Sequence, residues 1–99
     1  MSWPFAGTIN GTVETLPQDL PMLVTGFTIV PRTTGVVNVY KVTLASQSIC
    51  IMPFNCQITS GEMYEGTNQV ILLATEKIKV QSSVEVDYDF TISNLKEDE

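Results

Sequence analysis

The sequence predicts an all-β protein, an antiparallel β-sandwich or small barrel of seven or eight short strands. Its last predicted strand, residues 84–92, alternates apolar side chains with acidic or hydroxylic ones, which is typical of a strand with one buried face. Turn-forming residues recur about every 8–12 residues, as they do in sandwiches and small barrels. No stretch repeats apolar residues at helical spacing. The 99 residues suffice for one domain.

At the N-terminus, the Asn-Gly pair at residues 10 and 11 lies between residues of high β-propensity. Such a pair favours a tight hairpin turn, but an extended arm fits these residues equally well. We assign residues 1–10 to an N-terminal arm, residues 11–95 to the β-sandwich domain and residues 96–99 to an acidic, solvated tail.

Two longer strands follow in the first half of the chain. Residues 22–30 are rich in β-branched and aromatic side chains, and Gly26 within them favours a bulge or a close backbone approach. Residues 36–44 alternate as well, yet both faces carry apolar side chains, with Val37 and Val39 on the second face. This strand is therefore predicted to be central, or to be covered on its second face by a partner.

Shorter strands complete the set. Residues 47–52 and 57–59 flank Pro53, which lacks a backbone N–H and cannot lie in a central ladder. Three further short runs precede the last strand, at residues 63–64, 69–73 and 77–81.

The charge is strongly acidic and unevenly distributed. The chain has 11 acidic and 5 basic residues and no histidine, and its net charge of −6 lies entirely in residues 62–99. Because so few cations cannot neutralise many phosphates, we expect no direct nucleic-acid binding. No apolar run approaches the roughly 18–20 residues of a membrane-spanning helix, and we expect neither a membrane segment nor a secretory signal.

Candidate catalytic and metal-binding groups are few. The lack of histidine removes His-based catalysis and His-ligated metal sites. Glu85, Asp87 and Asp89 project from one face of the last strand and could form a Ca²⁺ site or a hydrolase carboxylate pair. A flat row does not converge on one ion, however, and a small sandwich offers little cleft, so a solvated face of like charges explains them better. We expect no enzymatic activity, no metal and no cofactor.

The two cysteines, Cys50 and Cys56, flank residues 51–55. Their spacing fits neither a Cys-x-x-Cys redox motif nor a zinc site. Buried free thiols are the default for a chain without an export signal. A hairpin centred on Pro53 would instead place the two thiols opposite each other and permit a disulfide.

The aromatic side chains near the N-terminus are candidates for an interface. Trp3 and Phe5 flank Pro4 outside the predicted strands, and they either cover the end of their own sandwich or dock onto a neighbouring subunit. The predicted interface residues are Trp3, Pro4, Phe5, Val37 and Val39.

The tyrosines could form a sugar-binding platform only if their rings were exposed. Alternation directs Tyr40 and Tyr88 toward the packed face of their strands. We therefore expect core tyrosines whose hydroxyl groups reach the rim of the sandwich.

Several segments together resemble small β-sandwich virion proteins of tailed bacteriophages. The resemblance rests on strand and turn patterns that cover most of residues 11–95, including a Thr-Gly turn followed by Val-Val-Asn-Val-Tyr at residues 34–40. The other segments that carry it are residues 11–17, 23–30, 60–65, 70–73 and 76–83.

This resemblance implies a jelly-roll-like sandwich with a structural, non-enzymatic role. The implied function is that of a capsid decoration or minor capsid subunit, made in the host cytoplasm and located in the virion. Implied partners are a major capsid or tail protein and further copies of the chain, as a homo-oligomer such as a trimer. The alternatives are a tail- or fibre-associated module that binds host glycans and, third, a Ca²⁺-binding sandwich.

Overall fold

Ten β-strands form two antiparallel sheets that pack face to face. The computed structural model describes residues 2–15, 21–67 and 69–94. The strands are β1 (Ser2–Ile9), β2 (Thr12–Glu14), β3 (Met22–Pro31), β4 (Gly35–Val42), β5 (Ser48–Cys50), β6 (Cys56–Ile58), β7 (Tyr64–Gly66), β8 (Val70–Leu72), β9 (Lys77–Ser82) and β10 (Val86–Asn94).

The strand order is that of a jelly-roll-like sandwich. Sheet I has the order β1-β10-β3-β7, with β8 also pairing with β3, and sheet II has the order β2-β9-β4-β5, with β6 also pairing with β4. Four short links connect strands that hold the same position in the two sheets. They join β1 to β2, β3 to β4, β6 to β7 and β9 to β10, at residues 10–11, 32–34, 59–63 and 83–85. Each strand of sheet I therefore lies over its counterpart in sheet II.

The predicted fold class is confirmed, with more strands than the seven or eight expected. The outermost strand of each sheet is divided in two, which accounts for the difference: β5 and β6 both pair with β4, and β7 and β8 both pair with β3. Pro53 lies in the break between β5 and β6, as the missing N–H of proline predicts.

The N-terminal segment that was predicted as an arm is instead an edge strand of the sandwich. β1 pairs with β10 along its full length, from Ser2 opposite Ser93 to Ile9 opposite Val86. The hairpin alternative is also wrong, because β1 and β2 belong to different sheets. Gly11, with a φ of 122°, provides the change of direction between them.

A row of aromatic rings connects the strands of sheet I. Phe5, Phe90 and Phe27 lie opposite one another on β1, β10 and β3, with ring centroids 5.2 Å and 4.8 Å apart. Tyr64 on β7 continues the row 6.0 Å from Phe27. Gly66 lies directly opposite Phe27, and a β-carbon there would overlap the Phe27 ring. The ring thus occupies the space that the missing side chain leaves.

The inner faces of both sheets form a continuous apolar core. It includes Val86 and Phe90 of the last strand, as the alternation predicts. Val37 and Val39, which were predicted as interface residues, are fully buried in this core. The register explains this correction, because Val39 pairs with the buried Val80 and so faces the inside of the sandwich. β4 does lie between two neighbours, as its apolar faces predict.

One ion pair lies at the margin of the core, at the end of the sandwich where β4 ends and β9 begins. The Lys41 ammonium is 3.2 Å from a carboxylate oxygen of Glu76, and the Glu76 side chain is only 5% exposed. The same carboxylate oxygen accepts a hydrogen bond from the Leu73 backbone N–H at 2.9 Å. Glu76 therefore joins β4 to the turn between β8 and β9.

Removing the central ring of the aromatic row should strongly destabilise the fold. We expect Phe90→Ala to lower the free energy of unfolding by about 3–5 kcal/mol, because it removes a buried ring and leaves a cavity between Phe5 and Phe27. Urea denaturation measures this, with the exposed neighbour Thr91→Ala as control. A similarly small loss of unfolding free energy in both variants would show that the aromatic row does not contribute strongly to stability.

The buried ion pair should contribute more than the exposed one. We expect Glu76→Gln to cost about 2–4 kcal/mol, because the largely buried Lys41 then lacks its counter-charge. The control is Glu14→Gln, which breaks the more exposed Glu14–Lys77 pair at 2.8 Å and should cost about 0–1 kcal/mol. Equal costs in urea denaturation would show that burial does not decide the difference.

Candidate functional site

The exposed large apolar side chains of the described chain all lie on one side of the sandwich. They belong to the divided outermost strands and the loops beside them, and all fall within residues 44–73. We call this surface the outer edge; its apolar residues are Leu44, Ile49, Phe54, Met63, Ile71 and Leu73.

The topology explains why these residues gather. The link at residues 59–63 places β7 and β8 of sheet I over β5 and β6 of sheet II, so both divided strands flank the same side. Each of these four strands has only three residues. Because these strands are short, they cover β3 and β4 only in part, and Ile49 and Ile71 on them are 48% and 47% exposed.

Phe54 is held outward by an anchored loop. Met52 on one side of it is buried in the core. On the other side, the Asn55 backbone N–H donates to Asn38 Oδ1 at 2.6 Å, and Asn38 Nδ2 donates to Asn55 Oδ1 at 3.0 Å. Between these two attachments the Phe54 side chain is 65% exposed. Its exposure is thus fixed by contacts of its neighbours.

The outer edge continues to one end of the sandwich, where two tight turns meet. In the turn after β4, the Ser46 backbone N–H donates to the Thr43 carbonyl. In the turn after β8, the Glu76 N–H donates to the Leu73 carbonyl. Ser46 and Thr75 have φ of 63° and 69°, values that are uncommon for residues other than glycine. These turns present Leu44 and Leu73 to solvent.

An open cleft of about 410 Å³ lies beside these turns. Lys77 and Lys79 line it, but each already has a partner in the chain. Lys77 pairs with Glu14, and the Lys79 ammonium lies 4.9 Å from the centre of the Tyr40 ring and donates to Ser48 Oγ at 3.3 Å.

The carboxylates of the last strand lie on the outer face of sheet I. Asp87 accepts hydrogen bonds from the Arg32 guanidinium, at 3.0 Å and 3.3 Å, and from the Thr8 hydroxyl. The guanidinium holds the pKa of Asp87 below its ordinary value, and the Thr8 hydrogen bond lowers it further. The hydrogen bonding between Arg32 and Asp87, together with the charge of Asp87, raises the pKa of Arg32. Sequence reasoning missed this pair because Arg32 is distant from Asp87 along the chain.

These carboxylates do not form a metal site within residues 2–15, 21–67 and 69–94, where no three potential metal ligands of the His, Cys, Asp or Glu type come together. A second open cleft, of about 310 Å³, lies on the same face and is lined by Glu65, Asp89 and several threonines. In the described ranges, no helix is long and apolar enough to cross a membrane.

The two cysteines do not face each other. Cys50 pairs with Tyr40 and Cys56 with Val37, so both lie along the divided edge strand beside β4 rather than across a hairpin. Both thiols are free. The expectation that both are buried is wrong, because Cys50 is exposed and Cys56 half-buried. Cys50 directly follows Ile49 of the outer edge.

The remaining predicted residues divide between core and surface. Tyr88 is buried in the core, as predicted, and burial raises its pKa. Tyr40 is also nearly buried, but on the opposite face of sheet II, beneath Lys79. Phe5 contacts Tyr88 and Phe90 of its own protomer. The side chains of Trp3 and Pro4, and residues 96–99, lie outside the described part of the chain.

The pairing of Asp87 should make the stability of the sandwich depend on pH. Because its pKa is lowered in the folded protein, its contribution is present above its ordinary value of 3.8 and is lost as the pH falls through the folded pKa. We expect Asp87→Asn to be less stable than the parent near neutral pH and to approach it in strong acid. Urea denaturation at several pH values tests this, with Asp89→Asn as control. A stability difference that does not change with pH would contradict it.

Comparisons with known proteins show the fold. No protein-family model matches the chain, and no curated protein matches it in sequence. The structure is similar to the core of Drosophila NLP, with a TM-score of 0.62, 14% identity and coverage of 99% of this chain and 100% of that one; that crystal structure concerns pentamer formation and histone binding.

A second similar structure contains the CBM22-1 and GH10 modules of Clostridium thermocellum xylanase 10B, in complex with xylohexaose. The TM-score is 0.54 at 10% identity, over 94% of this chain and 24% of that chain. Structures at such low identity show a shared β-sandwich and no more.

Proposed function

We propose that the protein is a non-enzymatic structural subunit of a bacteriophage virion, a capsid decoration or minor capsid protein that acts as a homo-oligomer. The observation that carries the proposal is the concentration of exposed large apolar side chains on the outer edge. Apolar surface gathered on one side of a small domain is typical of a protein-binding site. The resemblance of residues 11–95 to the β-sandwich proteins of phage virions supports the virion as the assembly in question.

The polar groups of the chain support a structural role. The Asp87 carboxylate is paired with Arg32, Glu76 with Lys41 and Glu14 with Lys77. Each pair connects separate strands or turns within the protomer, so these charges stabilise the fold.

Association of copies has a separate surface available. β1 is an eight-residue edge strand whose second side pairs with no strand in the described part of the chain. Such an edge can accept a strand from a neighbouring copy, and Trp3 and Pro4 lie within it. A homo-oligomer also agrees with the pentamer formation that the similar Drosophila structure addresses. Since a domain of this size is only marginally stable alone, binding to copies would stabilise it.

Glycan binding, the alternative for a tail or fibre module, has less support. Exposed aromatic rings form the usual platform for a sugar, but Tyr40 and Tyr88 are each less than a tenth exposed and Tyr64 is half-buried. The exposed ring of Phe54 lines neither of the two clefts. The cleft beside Asp89 offers hydroxyl and carboxylate groups without an exposed ring. We therefore favour the structural role.

Quantitative mass spectrometry of virions from the encoding phage tests the proposal. We expect the chain to remain with purified particles at a fixed ratio to the major capsid protein, and native mass spectrometry of the purified chain to show one oligomer. Absence of the chain from washed particles would contradict the virion role. A monomer that binds one class of glycan on an array would favour the alternative instead.

A further inference from the structure

We propose that two copies of the chain associate through their β1 strands, which pair antiparallel about a twofold axis at Gly7 and join the two copies of sheet I into one sheet. The inference rests on the homo-oligomer of the proposed function and deepens it by naming the strand and the register through which copies meet.

The free side of β1 lacks most of the features that prevent an edge strand from pairing with another chain. Such strands are commonly protected by charged side chains, bulges, prolines or short length. β1 has eight residues and pairs with β10 in an unbroken register. Residues 2–13 contain no charged side chain. Pro4 is the one protecting feature, and it restricts the register in which a second strand can pair.

The hydrogen bonds of β10 show which of its backbone groups face β1. The carbonyls of Glu85 and Thr91 accept hydrogen bonds on the opposite side, from the Arg32 backbone N–H at 2.9 Å and the Thr25 hydroxyl at 3.4 Å. Backbone groups alternate in direction along an antiparallel strand. The even-numbered residues of β10 therefore face β1, where they pair with its odd-numbered residues.

The even-numbered residues of β1 consequently direct their backbone groups to the free side. Ala6 and Thr8 each present an N–H and a C=O there. Pro4 agrees with this direction, because proline has no N–H and lies in a strand only where its nitrogen faces away from the partner.

A second β1 must also avoid Pro4, and this requirement selects one register. The longest antiparallel pairing in which Pro4 lies opposite no residue of the second β1 places Ala6 opposite Thr8 of the second copy. Both Ala6–Thr8 pairs then exchange their backbone hydrogen bonds. Gly7 lies opposite Gly7 of the second copy on the twofold axis.

The side chains that flank Gly7 complement each other in this register, because Phe5 lies opposite Ile9 of the second copy. Both side chains pack against the core and are only half-buried, so each retains apolar surface that a neighbour can cover. Aromatic and β-branched side chains form favourable cross-strand pairs. Gly7 between them has no side chain that would hinder the close approach of the two backbones.

The other edges of the sandwich match β1 less well. The strands β2, β5, β6, β7 and β8 have three residues each, which is shorter than the pairing from residue 5 to residue 9. Negative charge does not oppose the contact strongly. Asp89 lies opposite Ala6 on β10, so the Asp89 side chains of the two copies would be separated by three strand spacings or more, roughly 14 Å. Charges at that distance are largely screened at physiological salt.

A proline variant tests the pairing on the full chain. Ala6→Pro removes an N–H that faces away from β10, in the same alternation as Pro4, so we expect the fold to remain. Association of copies should weaken by about tenfold or more, because the second strand loses a hydrogen bond and meets the proline ring. Sedimentation velocity over a range of concentrations measures the dissociation constant, and circular dichroism checks the fold.

The matched control is Thr12→Pro in β2, the edge strand of the other sheet. The Gly11 carbonyl accepts a hydrogen bond from the Ser82 N–H of β9, so alternation directs the Thr12 N–H to the free side of β2. We expect this variant to associate as the parent chain does. Equal weakening by both prolines would overturn the proposal.

Cysteine cross-linking tests the register in chains that carry Cys50→Ser and Cys56→Ser. Chains with Ala6→Cys, mixed with chains with Thr8→Cys, should form mixed disulfide dimers under mild oxidation, because paired strand positions lie within reach of a disulfide. Mass spectrometry distinguishes these dimers from those of either variant alone, which should be fewer. Ala6→Cys chains that cross-link to each other as readily as to Thr8→Cys chains would overturn the register.

The outcomes separate this inference from the proposed function. An oligomer that Ala6→Pro leaves intact would show that copies meet through another surface, which would overturn the β1 pairing while the homo-oligomer and the virion role stand. Absence of the chain from washed virions would overturn the virion role without affecting the β1 pairing. A parent chain that is monomeric at every concentration would overturn both the pairing and the homo-oligomer.

Discussion

The stacking of aromatic rings across sheet I is the interaction on which most of the structure depends. Phe90 stands between Phe5 and Phe27, so the last strand of the chain joins the first strand to the third. All three contacts in this row connect residues that are distant in sequence. Formation of the row therefore requires strands from both ends of the chain. The same row makes the N-terminal segment part of the fold, because Phe5 has its best partners within its own protomer.

The divided outer strands leave one side of the sandwich with exposed apolar side chains. Residues 51–55 interrupt the ladder beside β4, with Met52 held in the core and Asn55 held by Asn38. Because of this interruption, residues 51–55 form no strand beside β4, and Phe54 is held exposed to solvent. A ring that is 65% exposed on an anchored loop stabilises the protomer very little.

The few cations of the chain explain why its surface charge is so one-sided. Arg32, Lys41 and Lys77 each neutralise one carboxylate that joins separate parts of the fold. Among the described residues, Glu62, Glu65, Glu85 and Asp89 are exposed and form no ion pair. Such a surface opposes unspecific contacts between copies of the chain.

The sequence by itself determined the fold class and the core strands. Strict alternation in residues 84–92 identified the buried side chains Val86, Tyr88 and Phe90, because a strand can place only every second residue in the core. Pro53 likewise identified a break in an edge strand. Both properties depend on residues that are close together in the sequence, so the sequence pattern is enough to predict them.

Only the tertiary structure decided which face of β4 is the inner one, where β1 belongs and what surrounds the exposed apolar residues. Val37 and Val39 could not be assigned from a strand with two apolar faces; the pairing with β9 fixed them inside. The Arg32–Asp87 pair and the outer edge bring together residues from separate strands. Such sites depend on distances in space, which are set by strand order and register, and the order of residues along the chain does not contain those distances.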